Sequence, residues 1–338
     1  MKRLTLTLAA AAAALFAASA GAQTVLTASS WIFPTHALSM AQKEWCDQLE
    51  KNTASKMKCN ILPRGVTAGP GTYDAIKSGQ ADISFTVHGY TPGRFVATQM
   101  AEFPFLGNSS EAISVAFNKV ASKNPAFGAE HPGVKVLAYF THGPGIIFNT
   151  KRPIAKADDL NGLKFRVGGG MVNEISKSLA MNVTLKPAND SFELLNGGVM
   201  DGTLFPAESI EGFKIDKLIK HATTFPGGLY NTSFVAMMNL DKYNKLTADE
   251  KKAVDSISGE HYARMFGRNW DNVDRRGHAL MQANGTVVTK ADAKFVGEVK
   301  GKITDLETNW VKSAEAKGLK DAKKVLAEFR AEIAKQEK

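Results

Sequence analysis

The sequence predicts an α/β protein of two lobes, each lobe a mainly parallel sheet flanked by helices. Strand-like and helix-like segments alternate from Thr24 onward, as they do in βαβ units. The strands are too many for the single sheet of one domain, and the 338-residue chain is long enough for two domains. No flexible linker or internal repeat interrupts the sequence. We therefore expect strands and a long helix to cross between the lobes and to form a hinged cleft.

The first 22 residues have the pattern of a secretory signal peptide. Lys2 and Arg3 precede an apolar stretch at 4–18, and small residues at 20–22 fit a cleavage site. A retained membrane anchor would need about 18 to 20 apolar residues and a different flank. We therefore expect a periplasmic chain that is secreted across the inner membrane, begins at Gln23 and does not insert into a membrane.

The first half of the chain is predicted to alternate strands and helices. The predicted strands lie at 24–31, 57–62, 81–87, 133–140 and 145–150. The predicted helices lie at 36–52, 71–80 and 109–123.

The second half continues this alternation and then becomes helical. Further strands are predicted at 163–167, 182–187, 201–205 and 229–239, with helices at 169–181, 191–200 and 207–214. Thr247 and Glu250 form a capping box that starts a helical periodicity running to about Asn284. Two more helices are predicted at about 290–314 and 319–336.

The two cysteines of the chain are expected to form a disulfide. Cys46 and Cys59 stand 13 residues apart in a protein predicted to be exported to an oxidising compartment. The pairing would tie the first helix to the next strand, and two free buried thiols are the alternative.

Composition and motifs argue against several other classes of protein. The formal net charge is +9, but the lysines are spread along helical segments without a basic block, so no nucleic-acid partner is expected. No Cys-x-x-Cys, His-x-x-x-His or Gly-x-Ser-x-Gly pattern occurs. We therefore predict no metal, no cofactor and no catalytic residue, and a protein that is not an enzyme.

Arg166 is the residue that points to a binding function. It stands at the carboxyl end of a predicted strand, in the segment GLKFRVGGG at 162–170. Ligands of α/β proteins collect at this edge of a sheet, where a guanidinium can hold a carboxylate through two hydrogen bonds. A structural pair with an acid on the other lobe, or simple exposure, are the alternatives. The three glycines lack nucleotide-binding spacing and could form an anion site or a tight turn.

Residues 157–206 resemble the core of the solute-binding proteins of tripartite ATP-independent periplasmic (TRAP) transporters. The Leu-Lys-x-Arg-Val strand, the following helix and the LLNGGVMDG stretch occur in the family's order, and the likeness extends from Thr24 to the helix near 247–284. The resemblance implies a two-lobed periplasmic binding protein fold with a long helix spanning both lobes. It also implies a small organic acid ligand, a membrane permease as partner, and Arg166 as the ligand-gripping arginine.

The predicted lobes are discontinuous in sequence. Lobe I is expected to contain 23–147 plus about 235–275. Lobe II is expected to contain 148–234 plus about 276–338.

Two departures from the family's sugar-acid and dicarboxylate binders favour a monocarboxylate. Phe205 stands where those binders resemble one another in carrying an amide, and His142 lies in the stretch where a second arginine often occurs. With one predicted cation and an apolar remainder, the cleft is expected to take one carboxylate on Arg166 and to be apolar at the ligand's other end, near Phe205.

The remaining candidates are polar and aromatic residues near strand ends, namely Trp31, His88, Tyr90, His142, Tyr230 and Phe234. Their rings would supply apolar contact area, and His88 and Tyr90 would hydrogen-bond a hydroxyl or keto group. Core packing is the alternative for each of them. Glu208 is expected to be structural, balancing a basic residue near the site.

The function predicted from these observations is that of a TRAP transporter solute-binding subunit. It would capture a small organic monocarboxylate, with aromatic and 2-oxo or 2-hydroxy acids as candidates, and deliver it to the permease. A periplasmic hydrolase or isomerase and a sensory binding protein are the competing hypotheses.

Overall fold

The computed structural model describes residues 23–338, and the signal peptide predicted at 1–22 lies outside the described residues. The strands are β1 Thr24–Ala28, β2 Met57–Ile61, β3 Ile83–Val87, β4 Val134–Thr141, β5 Ile146–Asn149, β6 Lys164–Val167, β7 Asn182–Leu185, β8 Gly202–Phe205, β9 His221–Thr224, β10 Ser233–Asn239 and β11 Val287–Lys290.

The helices surround these strands. They are α1 Ala37–Asn52, α2 Thr72–Lys77, α3 Ser110–Lys123, α4 Pro125–Ala129, α5 Met171–Ser178, α6 Ser191–Asn196, α7 Ser209–Gly212, α8 Leu240–Lys245, α9 Ala248–Ser256, α10 Glu260–Ala283, α11 Ala293–Lys302, α12 Thr304–Ala316 and α13 Ala322–Gln336. None of the helices within residues 23–338 is long and apolar enough to cross a membrane.

The strands form two sheets, which define the two lobes. The sheet of lobe I has the order β2-β1-β3-β10-β4, and the sheet of lobe II has the order β11-β9-β5-β8-β6-β7. The prediction of two helix-flanked α/β lobes is therefore confirmed. Each sheet is mixed, because β10 runs antiparallel to β3 and β4, and β5 runs antiparallel to β8 and β9. Both β5 and β10 begin directly after the chain has crossed from the other lobe.

The long helix α10 spans both lobes, as the resemblance implies. At its lobe I end, a Cβ on Gly267 would lie 2.3 Å from the Cα of Glu111 in α3. At its lobe II end, a Cβ on Gly277 would lie 2.2 Å from the carbonyl oxygen of Ala207. The predicted continuous periodicity over 247–284 is wrong in one respect, because Gly259 adopts a φ of 62° and separates α9 from α10.

The C-terminal helices correct the predicted boundary of lobe II. The predicted helix at 290–314 is divided into α11 and α12, and only β11 and α11 lie against lobe II. Trp310 in α12 donates a hydrogen bond from Nε1 to the Val96 carbonyl of lobe I at 2.9 Å. Phe329 in α13 packs its ring against Phe117 in α3. The apolar face of α13 thus completes the core of lobe I.

The first lobe also contains the disulfide. Cys46 in α1 and Cys59 in β2 are joined, as their spacing suggested. The helix is fixed at its start by His36, whose Nδ1 accepts a hydrogen bond from the Leu38 amide at 3.2 Å. This cap places the His36 ring at the edge of the interlobe cleft.

Candidate functional site

A cavity lies between the lobes, at the carboxyl end of the strand that carries Arg166. Seven of the eight predicted ligand-binding residues line it: Trp31, Tyr90, His142, Arg166, Phe205, Tyr230 and Phe234. His36, Glu208, Phe213 and Trp270 also line it and were not among the ligand-binding residues predicted from the sequence.

Arg166 is buried in the cleft without a carboxylate partner. Its side chain is 2 % exposed, and no Asp or Glu of residues 23–338 forms an ion pair with it. Nε donates to the Lys186 carbonyl at 2.8 Å, which fixes the guanidinium at the end of β6. Burial lowers the pKa of Arg166, and the nearby Tyr90, Tyr230 and Asp190 oppose this change. A buried cation that lacks a counter-charge favours binding of an anion.

Phe205 lies next to this cation. The guanidinium carbon of Arg166 stands 4.5 Å from the centre of the Phe205 ring, whose other neighbour is the stacked ring of Phe213. Phe205 thus lies beside the predicted carboxylate anchor, whereas the sequence suggested a place near the apolar end of the ligand. It supports the guanidinium through a cation–π contact, which keeps the planar group oriented.

The glycines after Arg166 allow the two lobes to touch. A Cβ on Gly169 would lie 2.5 Å from the Gly89 carbonyl oxygen, and one on Gly170 would lie 2.4 Å from Glu102 Oε2. Gly169 and Gly170 also have positive φ values of 92° and 74°. These glycines therefore leave room for lobe I to lie close to the start of α5.

Tyr90 and Trp31 form the lobe I wall. The Tyr90 hydroxyl oxygen accepts a hydrogen bond from the Ala188 amide of lobe II at 3.0 Å. Trp31 donates from Nε1 to the Phe85 carbonyl at 2.9 Å, and its ring packs edge-on against Tyr90. The Trp31 indole thus has its polar atom satisfied and offers the cavity an apolar surface.

The opposite wall contains a buried pair that links the lobes. His36 Nε2 of lobe I lies 3.2 Å from Glu208 Oε1 of lobe II. Glu208 Oε1 also accepts a hydrogen bond from the Ser209 hydroxyl at 2.9 Å. Because His36 Nδ1 accepts the helix-capping hydrogen bond, Nε2 is the nitrogen that donates to Glu208. The basic partner expected for Glu208 is therefore a histidine.

His142 belongs to an aromatic cluster where the chain crosses from β4 of lobe I to β5 of lobe II. Its ring packs edge-on against Tyr230 at 5.2 Å and lies 5.9 Å from the Trp270 ring of α10. Phe234 lies 5.3 Å from Trp270. Burial lowers the pKa of His142 to about 4, so its imidazole is neutral at neutral pH.

His88 does not line this cavity, which corrects its predicted role. Its Nδ1 lies 2.9 Å from Ser233 Oγ, and its Nε2 lies 3.0 Å from His131 Nε2. Ser233 in turn bonds Glu102, whose other oxygen accepts from the Met171 amide at 2.7 Å. The turn after β3 directs Tyr90 toward the cavity and His88 into lobe I, where both ring nitrogens have partners.

The described residues contain no cluster of three or more His, Cys, Asp or Glu side chains that could hold a metal ion.

The cleft combines one unpaired buried cation with mostly aromatic walls. This arrangement can bind a small anion that carries an apolar group.

Comparisons with known proteins agree with this geometry. Residues 29–314 match the family model described as bacterial extracellular solute-binding protein, family 7. The chain is similar to a TRAP periplasmic solute-binding protein from Bordetella bronchiseptica whose crystal structure contains (R)-mandelate and (S)-mandelate. That likeness has a TM-score of 0.90 and 38 % identity, and it covers 92 % of this chain and 99 % of the other.

Two further relatives are similar to nearly the whole chain. A TRAP solute-binding protein of an unidentified marine microbe, specific for aromatic acids and solved with 3-hydroxybenzoate, has a TM-score of 0.87 and 30 % identity over 94 % of this chain and 100 % of that one. The outer membrane transporter protein TsaT of Comamonas testosteroni is 28 % identical over 324 residues, which are 95 % of each chain.

Proposed function

The chain belongs to the bacterial extracellular solute-binding protein family 7, the solute-binding proteins of TRAP transporters, and we propose that its ligand is an aromatic monocarboxylate. The observation that carries this proposal is the buried, unpaired Arg166 in a cleft with aromatic walls. One guanidinium matches one carboxylate, and the rings of Trp31, Tyr230 and Phe234 match an aromatic group.

The similar proteins support the aromatic ligand class. The structures with 38 % and 30 % identity contain mandelate and 3-hydroxybenzoate. Both ligands have a single carboxylate and a single ring. A dicarboxylate or a sugar acid would place further polar groups against walls that are mainly hydrocarbon, which is unfavourable.

We further propose that the chain works in the periplasm and hands its ligand to a membrane permease. The family supports this location, and residues 1–22 have the pattern of an export signal. Recovery of the protein with membranes instead of the periplasmic fraction of cells would contradict the proposed location.

Binding without turnover is the proposed activity. Solute-binding subunits capture substrates for transporters, and the sequence carries no recognisable catalytic motif. Incubation of purified protein with benzoate or mandelate, followed by mass spectrometry, separates this proposal from the hydrolase or isomerase hypothesis. Appearance of a product would favour the enzyme.

The ligand proposal is tested with Arg166→Ala. Wild-type protein should bind benzoate, mandelate or 3-hydroxybenzoate in calorimetry, and these acids should raise its melting temperature more than succinate or glucuronate does. Removal of a buried charged partner commonly costs about 2–5 kcal/mol, so Arg166→Ala should weaken binding roughly 30- to 4,000-fold.

Arg94→Ala is a matched control for this experiment. Arg94 is partly exposed and pairs with Asp74 outside the cleft, so its removal should leave ligand affinity unchanged. Undiminished binding by Arg166→Ala would show that this residue does not anchor the carboxylate. Preferred binding of succinate or glucuronate by the wild type would overturn the aromatic ligand class.

A further inference from the structure

Gly168 lines the cavity without a side chain, although the backbone there would allow one. Among the glycines of residues 23–338 it is the one that borders the cavity between the lobes. The next two glycines, Gly169 and Gly170, are explained by their positive φ values and by their contact with lobe I. Gly168 does not have a positive φ, so an alanine could adopt its backbone conformation. The fold alone therefore does not explain a glycine at this position.

The space that a side chain would occupy at Gly168 is open. A Cβ there would lie 3.3 Å from Arg166 Nη2 and 3.7 Å from Tyr90 Cε1. Apart from the adjoining residues of the chain, no other atom of the described protein lies within 4 Å of that position. Gly168 is partly exposed, whereas Val167 and Gly169 on either side of it are buried. The space is thus accessible and borders the unpaired guanidinium of the cleft.

The groups around this space suit a carboxylate. Arg166 is fixed through its Nε, which donates to the Lys186 carbonyl, so its Nη2 is available to a ligand. The Tyr90 hydroxyl oxygen accepts from the Ala188 amide, and its hydrogen remains free to donate. A carboxylate has two acceptor oxygens and can therefore accept from both residues at once.

A methyl group at Gly168 would compete with such a ligand. An oxygen that accepts a charge-assisted hydrogen bond from Nη2 lies about 2.8 Å from it. A Cβ at 3.3 Å from the same nitrogen would already be in close contact with the guanidinium. The methyl and the carboxylate would then share a space that is narrow for both.

We propose that the carboxylate of the ligand lies against the bare Cα of Gly168, between Arg166 Nη2 and the Tyr90 hydroxyl. This inference rests on the proposed function, because it requires an acid that binds to Arg166. Gly168 is then a ligand-positioning residue, and its missing side chain gives the carboxylate its room.

Gly168→Ala tests this role. The added methyl should weaken the binding of benzoate roughly 5- to 150-fold in calorimetry, the effect of an overpacked contact. The melting temperature of the unliganded variant should stay close to that of the wild type, because no backbone atom from elsewhere in the described chain lies near the methyl.

A series of acids shows which part of the ligand the methyl meets. Benzoate, phenylacetate and 3-hydroxybenzoate have the carboxylate in common but differ in the position and substitution of the ring. A methyl that crowds the carboxylate should weaken the binding of all three by a similar factor. A methyl that meets the ring should affect the three acids unequally.

Gly128→Ala provides the matched control. Gly128 in α4 also lacks a positive φ, and a Cβ there would meet nothing within 4 Å. It does not line the cavity. This variant should bind all three acids as the wild type does.

The possible failures are distinguishable. If the wild type binds the acids and Gly168→Ala binds them equally well, this inference is wrong and the proposed function stands. Strongly unequal losses across the series would place the ring at Gly168 and overturn the inference. An unliganded Gly168→Ala protein that is destabilised or unfolded would show that the glycine serves packing around Arg166 instead. If no aromatic acid binds to the wild type, both the proposed function and this inference are wrong.

Discussion

At the residue scale, Tyr90 joins ligand binding to contact between the lobes. Its hydroxyl oxygen accepts from the Ala188 amide, and its own hydrogen remains free to donate. The side chain also lies near the Arg166 guanidinium, which partly opposes the rise that burial causes in the pKa of Tyr90. The Tyr90 hydroxyl therefore lies at the predicted carboxylate site and also forms a hydrogen bond between the two lobes.

We expect Tyr90→Phe to weaken ligand binding roughly 5- to 150-fold, because the Ala188 amide loses its partner in the closed form. Calorimetric titration with the tightest-binding aromatic acid measures this change. Tyr73→Phe is the control, since Tyr73 donates to the Pro132 carbonyl away from the cleft. Equal losses of affinity in both variants would contradict a specific role for Tyr90.

Some residues of the site could be predicted from the sequence and others could not. Arg166 could be found because a charged residue at the end of an apolar strand needs an explanation. Trp270 could not be found, because a helix of 24 residues carries several apolar positions and the face toward the cleft depends on tertiary packing. His88 was misassigned because its turn lies beside the cavity, yet its ring points to Ser233 and His131.

At the element scale, the start of α5 is held by a carboxyl group of lobe I. His131 Nδ1 bonds the Phe127 carbonyl, so its Nε2 is an acceptor for His88 Nε2 when the rings are neutral. His88 Nδ1 must then accept the single hydroxyl hydrogen of Ser233. The bond between Ser233 Oγ and Glu102 Oε1, at 2.6 Å, therefore needs a hydrogen from a protonated Glu102.

The pKa shifts agree with this assignment. Burial raises the pKa of Glu102, although hydrogen bonds from the backbone amides of Met171 and Ser233 oppose the increase. Burial also lowers the pKa of His88, and it lowers the pKa of His131 to about 4. Burial thus favours the uncharged form of the carboxyl and of both imidazoles.

Glu102→Gln should reduce the loss of folding stability that accompanies a rise in pH. A carboxyl whose pKa is raised on folding stabilises the fold below its unfolded pKa of about 4.3, and this contribution is lost as the pH rises through the folded pKa. A glutamine keeps one donor and one acceptor at every pH. The melting temperature of Glu102→Gln minus that of the wild type should therefore increase between pH 5 and pH 8.

The comparison isolates Glu102 because both proteins contain the same histidines. Glu174→Gln, an exposed change in α5, should give a difference that does not vary with pH in this way. A Glu102→Gln protein that is less stable by the same amount at every pH would contradict a raised pKa of Glu102 in the folded protein.

The elements missed by the sequence are short or lie at the edge of their sheet. β9 and β11 have four residues each, and β11 is mostly exposed, so neither has a clear alternation of apolar and polar residues. The strand that carries Arg166 was found at its observed position because β6 is preceded by polar turn residues and followed by glycines.

At the scale of the whole molecule, the backbones of the two lobes touch at one place where a side chain would not fit. The turn at His88–Tyr90 lies against the glycines at the start of α5. A Cβ on Gly89 would lie 2.8 Å from the carbonyl carbon of Gly169 and 2.8 Å from the Gly170 nitrogen. Gly89 itself does not have a positive φ, so an alanine there tests the contact between lobes without backbone strain.

We expect Gly89→Ala to hinder closure and to weaken ligand binding roughly 5- to 150-fold, the effect of an overpacked contact. Small-angle scattering with saturating aromatic acid should give a larger radius of gyration than the liganded wild type. Gly297→Ala, which meets no neighbour within 4 Å, should behave as the wild type. Full closure and unchanged affinity of Gly89→Ala would show that this contact is not needed for binding.

The division into lobes could be predicted only in part. Strands and helices that alternate indicate two α/β sheets, but the partner of an amphipathic helix depends on which apolar surface remains uncovered. The face of α13 that contains Val325, Phe329 and Ile333 would suit either lobe on pattern alone. Its position against α3 became visible only in the folded structure.

The position of α13 has a consequence for the order of events during synthesis. Roughly 200 residues separate α3 from the helix that covers it, and a ribosome needs about 10–40 s to add that many. Throughout this interval α13 is not yet available to pack on the apolar surface of α3, so the core of lobe I is incomplete. A nascent chain that stays incompletely folded for so long remains available to chaperones and, if residues 1–22 direct export, to the translocation machinery.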